Sequence, residues 1–324
     1  MVWLPPLVVI VGPTAVGKTA LSLRLAQASQ GEIVSADSRQ VYRGMDMGTA
    51  KPTAAERAYV PHHLLDVVTP DQTLSVAEYQ SLAYAAIDAI QARGHLPLLV
   101  GGSGQYVRAV LEGWQVPAVA PDWALRSRLA AEAQTTGPQT LHARLYEVDP
   151  AAAAHIDARN VRRVIRALEV YALTGQPISQ LQQRHPPPYR VLQVGLTLPA
   201  SELYQRIDER IAGMLHAGLV AEVQNLLAAG YSSDLPAMSG LGYREMVRFV
   251  QGEQTLDDAV TDLKRATRRF VRQQRNWFRL DDEHITWFKA QPHLDAQVLA
   301  VIQAWRDAPV VQSSFGGSGD RLHA

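Results

Sequence analysis

The stretch LVVIVGPTAVGKTALSLRLA, residues 7–26, is the part of the sequence that most clearly indicates the fold. Residues 7–11 form an uncharged run rich in β-branched side chains between Pro6 and Gly12, which predicts a strand buried on both faces of a parallel sheet. Residues 20–28 then repeat apolar side chains at helical spacing. A strand, a glycine loop and a helix N-terminus in this order form an anion site, because unpaired amide groups and the positive end of the helix dipole point into the loop.

The loop itself, GPTAVGKT at residues 12–19, matches the pattern G-x-x-x-x-G-K-[ST] of phosphate-binding loops. In such a loop we expect Lys18 to contact the phosphates and the Thr19 hydroxyl to bind Mg²⁺. The strand before the loop and the helix after it favour this interpretation over a chance match. The pattern does not say which phosphate compound is bound, because many nucleotide enzymes share it.

Composition excludes several classes of protein. The chain has 324 residues, no cysteine, and 31 basic against 31 acidic residues. Its length allows one large or two medium domains. Without cysteine, disulfides, thiol catalysis and cysteine-ligated zinc are excluded. No apolar run reaches the ~18 residues that span a membrane, and no basic segment precedes the first apolar stretch, so we expect a cytoplasmic protein without membrane contact.

Two stretches concentrate arginine in a chain that is neutral overall. The segment KRATRRFVRQQRNWFR, residues 264–279, contains no acidic residue, and ARNVRRVIR, residues 158–166, is also basic. Arginines three or four residues apart lie along one side of a helix, and such a stripe is typical of a surface that binds a polyanion. The alternative is a solvated helix face whose charge is balanced by acidic residues elsewhere in the fold.

The order of strand and helix patterns predicts the architecture. Residues 32–37, 96–104 and 189–199 are further strand candidates, residues 76–92 have a helical pattern, and the chain beyond residue 200 is again helical in pattern. This alternation predicts an α/β fold with a P-loop NTPase-like parallel sheet core flanked by helices. We expect a discontinuous core of residues 1–120 and 189–310, an all-helical insertion domain at 121–188, and a disordered tail at 311–324.

Candidate acids and bases are few. Asp37 follows the second predicted strand, at the sheet edge where ligands bind in open parallel sheets, so its carboxylate can face the phosphate loop. The alternative for Asp37 is an N-cap or turn residue. The glycines at residues 101–104 allow a close backbone approach at the end of another strand, although such a turn needs no ligand to exist. Trp277 and Phe278 can stack on nucleotides, but a core role is the commoner one for aromatic residues at the end of an amphipathic helix.

Taken together, these motifs resemble a known family, the bacterial tRNA dimethylallyltransferases. The resemblance runs from about residue 8 to residue 278, and SADSRQVYR at residues 35–43 is its most specific piece. The matching segments, in order, are GPTAVGKT, SADSRQVYRGMDMGTAKP, PHHLLD, VGGSGQY, RNVRRVIRALEVY, LYQRIDERI, GLGYRE and RRFVRQQRNWFR.

The resemblance implies a prenyl transfer to RNA. The substrates it implies are dimethylallyl diphosphate and the anticodon stem-loop of tRNAs that read codons beginning with U. The acceptor is the N6 amine of the adenosine 3′ of the anticodon, at tRNA position 37. The phosphate loop then holds the diphosphate as a leaving group, with Mg²⁺, and no phosphoryl group moves. We further expect the protein to be a monomer.

The resemblance also implies roles for individual residues. Asp37 is the general base that takes a proton from the amine, and Lys18, Thr19, Ser103 and Arg206 complete the catalytic set. Thr19 also holds the metal, and Arg206 clamps the diphosphate. Ser103 stands where the family commonly has threonine. The implied diphosphate-binding residues are Gly12, Pro13, Thr14, Ala15, Val16, Gly17, Lys18, Thr19 and Arg206. The implied tRNA-binding residues are Asp37, Ser38, Arg39, Gln40, Ser103, Arg126, Arg162, Arg163, Val164, Ile165, Arg166, Gly242, Tyr243, Arg244, Arg272 and Arg275.

Three alternatives share the same phosphate loop. A metabolite kinase and a non-enzymatic RNA-binding NTPase both leave the position of Asp37, next to SRQVYR, without an explanation. A prenyltransferase that acts on free adenine nucleotide is closer to the family. The two basic stretches argue against it, because a mononucleotide presents too little phosphate to engage them.

Overall fold

The computed structural model describes residues 4–115, 117 and 119–308. Six parallel strands form one sheet in the order β3-β2-β4-β1-β5-β6. The strands are β1 Pro6–Val11, β2 Gly31–Ser35, β3 His62–His63, β4 Leu96–Val100, β5 Arg190–Thr197 and β6 Ile285–Lys289. The predicted α/β class is therefore confirmed.

Fourteen helices accompany the sheet in the described residues. They are α1 Lys18–Ser29, α2 Ala54–Tyr59, α3 Val76–Ala92, α4 Gly104–Glu112, α5 Trp123–Thr136, α6 Pro138–Val148, α7 Pro150–His155, α8 Val161–Thr174, α9 Ile178–Leu181, α10 Ala200–His216, α11 Leu219–Ala228, α12 Tyr243–Val250, α13 Leu256–Gln274 and α14 Leu294–Asp307. Residues 7–11 of β1 and all residues of β4 are buried, which explains why these two central strands are continuous apolar runs.

The sequence patterns found the central strands and missed the two edge strands. The predicted strand at residues 96–104 ends at Val100, because the glycines that follow turn the chain into α4. The expectation of helix beyond residue 200 is wrong at β6, which pairs with β5 at one edge of the sheet. β3 has only two residues, too few to show any alternation.

The chain divides into two compact units, one formed by Glu112–Pro186 and the other by the chain before and after it. The helical unit starts before the predicted boundary at residue 121, because its two ends are joined by hydrogen bonds. The Gln115 amide donates to the Gln183 carbonyl over 2.8 Å, and the His185 amide donates to the Gly113 carbonyl over 2.9 Å. The predicted disordered tail, residues 311–324, lies outside the described residues.

The helical unit has a hydrophobic core of its own. It is built from helices α5 to α9, and its buried side chains include Leu129, Leu141, Leu145 and Val164. No strand is present among its described residues. Asp149 is buried and caps two elements, because its carboxylate accepts hydrogen bonds from the Ala152 and Ser179 amides. The helical unit therefore holds itself together by packing and by capped helix ends.

Helices α10 and α11 follow each other directly in the larger unit. In the described part of the chain, no single helix is long and apolar enough to cross a membrane; these two pass that test only as a pair, which is bent by 54°. Their apolar side chains, among them Leu203, Ile207, Leu219 and Val223, are buried against the core of the larger unit.

Candidate active site

The carboxyl ends of β1, β2 and β4 meet at one edge of the sheet and surround a cavity of about 530 Å³. Parallel sheets bind ligands at this edge, where the strand order lets successive loops diverge. The cavity residues of the loops after these strands, and of α10, include Thr14, Ala15, Gly17, Lys18, Thr19, Asp37, Gln40, Gly101, Gly102, Arg206, Glu209 and Arg210. The structure thus brings the phosphate loop, Asp37 and Arg206 together around one space.

The phosphate loop owes its shape to its two glycines. Gly12 has φ +143°, and a Cβ there would lie 2.5 Å from the Leu196 carbonyl oxygen, so only glycine fits. Gly17 has φ +108° and is the N-cap of α1 without any side-chain cap. The amide groups of the first turn of α1 therefore remain available to an anion. The Lys18 ammonium folds back over the loop and donates to the Gly12 and Pro13 carbonyls, both over 2.9 Å.

Three cations line the cavity without a carboxylate of their own. Arg206 donates to the Val16 carbonyl over 3.2 Å, and Arg210 donates to the Thr49 carbonyl over 3.3 Å. Among the described residues, neither arginine nor Lys18 has a carboxylate within ion-pair distance. Carbonyl oxygens satisfy their N–H groups but do not neutralise their charge. The cavity therefore favours an anionic ligand.

Burial and charge shift the pKa values of two of these cations. Burial lowers the pKa of Lys18 to about 8, an effect that Asp37 opposes and Arg210 reinforces. Burial also lowers the pKa of Arg210, and Asp37 again opposes the effect. Asp37 is therefore the carboxylate that both cations sense, although it is not bonded to either of them. A bound anion would stabilise the charged forms of Lys18 and Arg210 in the same way as Asp37 does.

From the sequence, Asp37 could be a turn residue or a residue that faces the phosphate loop, and in the structure it is a turn residue that also lines the cavity. Its Oδ1 accepts a hydrogen bond from the Arg39 amide over 2.8 Å, the geometry of a turn residue. Its carboxylate also lines the cavity opposite Lys18. The turn fixes one oxygen, and no described residue donates to the other. A carboxylate held in this way can accept a proton from a ligand in the cavity.

Ser103 and Gln40 hold the loops around the cavity. The Ser103 hydroxyl accepts from the Ser38 amide over 2.9 Å and donates to the Ser38 hydroxyl over 3.2 Å. Gln40 accepts from the Ser35 hydroxyl and donates to the Thr49 carbonyl. Ser103 therefore joins the loop that follows β4 to the loop that carries Asp37. Ser103 is not among the residues that line the cavity, and the catalytic role that the resemblance implies for it stays a prediction.

The other residues predicted to bind tRNA in the larger unit differ in their accessibility. The Tyr243 side chain is buried, and its hydroxyl donates to Glu222 over 2.6 Å, while Arg244 pairs with Glu245. Gly242 is the N-cap of α12. Arg39 donates to the Pro236 carbonyl over 2.8 Å. These residues shape the surface beside the cavity mainly through contacts with the protein itself.

The C-terminal basic stretch lies on α13 and the turn after it. Some of its arginines have acidic partners: Arg265 pairs with Asp262, Arg268 with Asp208 and Arg279 with Asp281. Arg272 donates only to the Tyr204 hydroxyl, and Arg275 is exposed without a described partner. The alternative of a neutralised helix face thus applies to part of the stretch, whereas Arg272 and Arg275 have no carboxylate partner among the described residues, and their tRNA contacts stay a prediction.

The arginines of the helical unit divide in the same way. Glu169 is fully buried and binds Arg126 through two bonds of 2.8 Å and Arg166 through one of 2.6 Å. Val164 and Ile165 are buried in the core of the helical unit. By contrast, Arg162 and Arg163 are exposed, and no carboxylate among the described residues pairs with them.

Arg210 is the cavity cation that the sequence reasoning missed. It lies four residues after Arg206 in LYQRIDERI, so both side chains project from the same face of α10. The four-residue spacing is the feature of the sequence that indicates a second cation beside Arg206. The resemblance implies a diphosphate clamp for Arg206 only.

Comparisons with known proteins identify the family of this chain. The family model described as IPP transferase matches residues 40–281. A tRNA dimethylallyltransferase of Roseiflexus sp. (strain RS-1) is 56% identical over 303 residues, 94% of this chain and 99% of that protein. The enzyme of the same name from Herpetosiphon aurantiacus is 54% identical, over 94% of this chain and 97% of that protein.

Solved structures extend the agreement to the fold. A tRNA isopentenylpyrophosphate transferase of Bacillus halodurans is 42% identical with a TM-score of 0.69, covering 93% of this chain and 96% of that one. A tRNA isopentenylpyrophosphate transferase of Staphylococcus epidermidis is 34% identical with a TM-score of 0.66, over 93% and 98% of the two chains. These matches confirm the predicted P-loop NTPase-like core and the resemblance drawn from the motifs. The chain belongs to the IPP transferase family, as do the tRNA dimethylallyltransferases that it resembles.

Proposed function

We propose that this chain transfers the dimethylallyl group of dimethylallyl diphosphate to the N6 amine of the adenosine at tRNA position 37, in tRNAs that read codons beginning with U. The observation that carries the proposal is the cavity that Asp37 shares with Lys18, Arg206 and Arg210, three cations without an ion pair in the described part of the chain. A base and a cluster of cations around one space are what this alkyl transfer needs. The names of the relatives supply the nature of the acceptor.

In the proposed reaction, the amine nitrogen attacks C1 of the prenyl group while Asp37 takes its proton. The bond between C1 and the diphosphate oxygen breaks, and its electron pair leaves with the diphosphate. Lys18, Arg206, Arg210 and the amide groups at the start of α1 stabilise the charge that develops there. An amine conjugated into an adenine ring is a poor nucleophile, so removal of its proton contributes directly to the rate.

We propose Mg²⁺ as the metal. It is a hard cation that commonly binds one or two protein oxygens together with substrate phosphates. The Thr19 hydroxyl lines the cavity and suits this role. Among the described residues, no group of three or more histidine, aspartate or glutamate side chains is arranged to hold a metal ion, so the diphosphate itself would supply most of the ligand oxygens. When bound, Mg²⁺ would neutralise part of the diphosphate charge.

The RNA is proposed to contact the free cations of both units. Arg162 and Arg163 on α8 and Arg272 and Arg275 at the end of α13 are exposed and lack a carboxylate partner in the described chain. Such side chains can hold the phosphates of a single-stranded loop, while the target adenine leaves the stack to reach Asp37. We propose that the enzyme acts as a monomer in the cytoplasm, on an anticodon stem-loop.

A kinase and an enzyme of free nucleotides are not supported. The relatives that match nearly the full chain are named for tRNA. These alternatives still make different predictions, because a kinase or NTPase consumes ATP and a free-nucleotide enzyme labels adenine nucleotide.

The test is incorporation of label. Radiolabelled dimethylallyl diphosphate, Mg²⁺ and an unmodified tRNA with adenosine at position 37 should give labelled RNA, and the same transcript with guanosine at that position should not. Label in free adenine nucleotide, or ATP hydrolysis that tRNA stimulates in place of RNA labelling, would contradict the proposal.

A further inference from the structure

Gln274 is a buried amide that joins two loops at the rim of the cavity. Its side chain is at the C-terminal end of α13 and is 4% exposed. Its Oε1 accepts the Thr14 amide over 2.9 Å, and its Nε2 donates to the Gly102 carbonyl over 3.0 Å. The phosphate loop and the glycine loop after β4 are thus fastened to the same side chain. Both polar groups of the amide are satisfied, so the connection is specific in geometry.

The glycine loop makes room for this connection. A Cβ on Gly102 would lie 2.4 Å from Nε2 of Gln274, and a Cβ on Gly104 would lie 2.2 Å from Cγ of Trp277. Gly102 and Gly104, for which the sequence suggested no specific partner, therefore accommodate the end of α13 and the turn after it. Trp277 is packed against the core and Phe278 is buried, so the core alternative holds for Phe278 and largely for Trp277.

The same helix end presents the free arginines of the basic stretch. Arg272 and Arg275 lie on either side of Gln274 in the sequence and are exposed, whereas the Gln274 side chain points inward to Thr14. Any movement of the end of α13 would therefore be transmitted to the Thr14 amide. The Thr14 amide is bonded to Gln274, whereas the uncapped amides at the start of α1 stay open to an anion.

We propose that Gln274 is a positioning residue that fixes the phosphate loop to α13 and thereby couples diphosphate binding to RNA binding on Arg272 and Arg275. The coupling rests on the proposed function, since it requires RNA on that surface. Coupling between two ligands is reciprocal, so each should tighten the binding of the other by the same factor. The link is made by hydrogen bonds, so it can be removed without altering any charged group of either site.

Three variants of the full chain test this. Gln274→Met keeps the volume and removes both hydrogen bonds. Gly102→Ala leaves Gln274 in place and displaces its amide by steric contact. The control, Gln224→Met, makes the same chemical change at an exposed position of α11. Calorimetric titration gives the dissociation constant of dimethylallyl diphosphate with Mg²⁺, with and without an anticodon stem-loop RNA, and the melting temperature is recorded for each protein.

In the parent and in Gln224→Met, the RNA should tighten dimethylallyl diphosphate binding at least about threefold. In Gln274→Met and Gly102→Ala, the dissociation constant of the diphosphate should rise about tenfold, that of the RNA should stay within about twofold, and the coupling should disappear. A merely structural role would lower the melting temperature and leave the coupling factor unchanged.

An unchanged diphosphate constant or an unchanged coupling factor in a folded variant would overturn the proposal, as would a parent without coupling. If Gln274→Met fails to fold, Gly102→Ala decides, because it retains every polar group. The measurements need no turnover. Intact coupling in an enzyme that cannot label RNA would refute the proposed function and leave this inference standing.

Discussion

The cavity and the helical unit both place basic side chains near a carboxylate, Asp37 in the cavity and Glu169 in the helical unit, but only Glu169 pairs with its cations. In the helical unit, Arg126 and Arg166 bind Glu169 directly over 2.6 to 2.8 Å. Burial of Glu169 would raise its pKa, but these bonds and the one from the Asp122 amide lower it. In the cavity, Arg206 and Arg210 bond only to carbonyl oxygens, and Asp37 stays apart.

The difference distinguishes cations that stabilise the fold from cations kept for a ligand. An ion pair offsets the desolvation of a buried charge, whereas hydrogen bonds to neutral carbonyls do not offset it fully. Burial lowers the pKa values of Lys18 and Arg210, which shows that the desolvation of these two cations is not fully compensated in the free protein. An anionic substrate can supply the missing counter-charge.

The largest effect on the rate of prenyl transfer is expected when the Asp37 carboxylate is removed. Asp37→Asn keeps the turn acceptor and removes the base, so the single-turnover rate of prenyl transfer should fall by about 10²–10⁴ while both substrates bind almost as before. Rapid-quench measurements with saturating tRNA give the rate. The matched control is Asp71→Asn on an exposed loop. A near-normal rate in Asp37→Asn would remove Asp37 from the mechanism.

The second prediction concerns Arg210. Arg210→Ala should weaken dimethylallyl diphosphate binding about 10–100-fold, because a charge-assisted contact of about 1.5–3 kcal/mol is lost. The free energy of unfolding should stay the same or rise, since a desolvated cation without a counter-ion is removed. Calorimetry and urea denaturation measure the two quantities.

The counterpart of Arg210→Ala in the helical unit is Glu169→Gln. It leaves Arg126 and Arg166 facing a neutral amide, so it should destabilise the helical unit by about 3 kcal/mol without altering the diphosphate constant. If Arg210→Ala destabilised the protein and left the diphosphate constant unchanged, the division between the two regions would be wrong.

The third prediction follows from the pKa of Lys18, which is lowered from 10.5 to about 8 in the free protein. Because the pKa is lowered, the ammonium loses its proton near pH 8, and diphosphate affinity should fall as pH rises, by about tenfold between pH 7 and pH 9. Lys18→Arg keeps its charge over this range and should lose the alkaline dependence. The same alkaline loss in both proteins would assign the titration to another group.

The smallest effect concerns RNA binding by exposed arginines. Arg162→Ala with Arg163→Ala should weaken tRNA binding and lower the log–log salt slope by about 0.7–0.9 for each phosphate contact removed, leaving the diphosphate constant within about twofold. The matched control is Arg144→Ala with Arg159→Ala, since these exposed arginines pair with Glu132 and Asp157. Equal slopes in the two double variants would show that Arg162 and Arg163 do not contact RNA phosphates.

Much of the core was predictable because its signals are local. An apolar run followed by glycines and a helical repeat predicts a buried strand, an anion loop and a helix, and the structure has β1, the loop and α1 in that order. The position of Asp37 followed from the rule that the ends of parallel strands share one edge. The edge strands β3 and β6 were not predicted, because a two-residue strand and a half-exposed strand show little hydrophobic periodicity.

The amino-acid sequence alone was enough to predict the central strands, the phosphate loop and the family. The neutralisation of basic residues became visible only in the folded chain: Arg166 pairs with Glu169, but Arg162 and Arg163, in the same stretch, pair with no carboxylate among the described residues. The tertiary structure also decided that Arg210 joins the cavity and that Gln274 reaches Thr14 across 260 residues. Spacing along a helix fixes the direction of a side chain, whereas its partner comes from a distant element that only packing brings near.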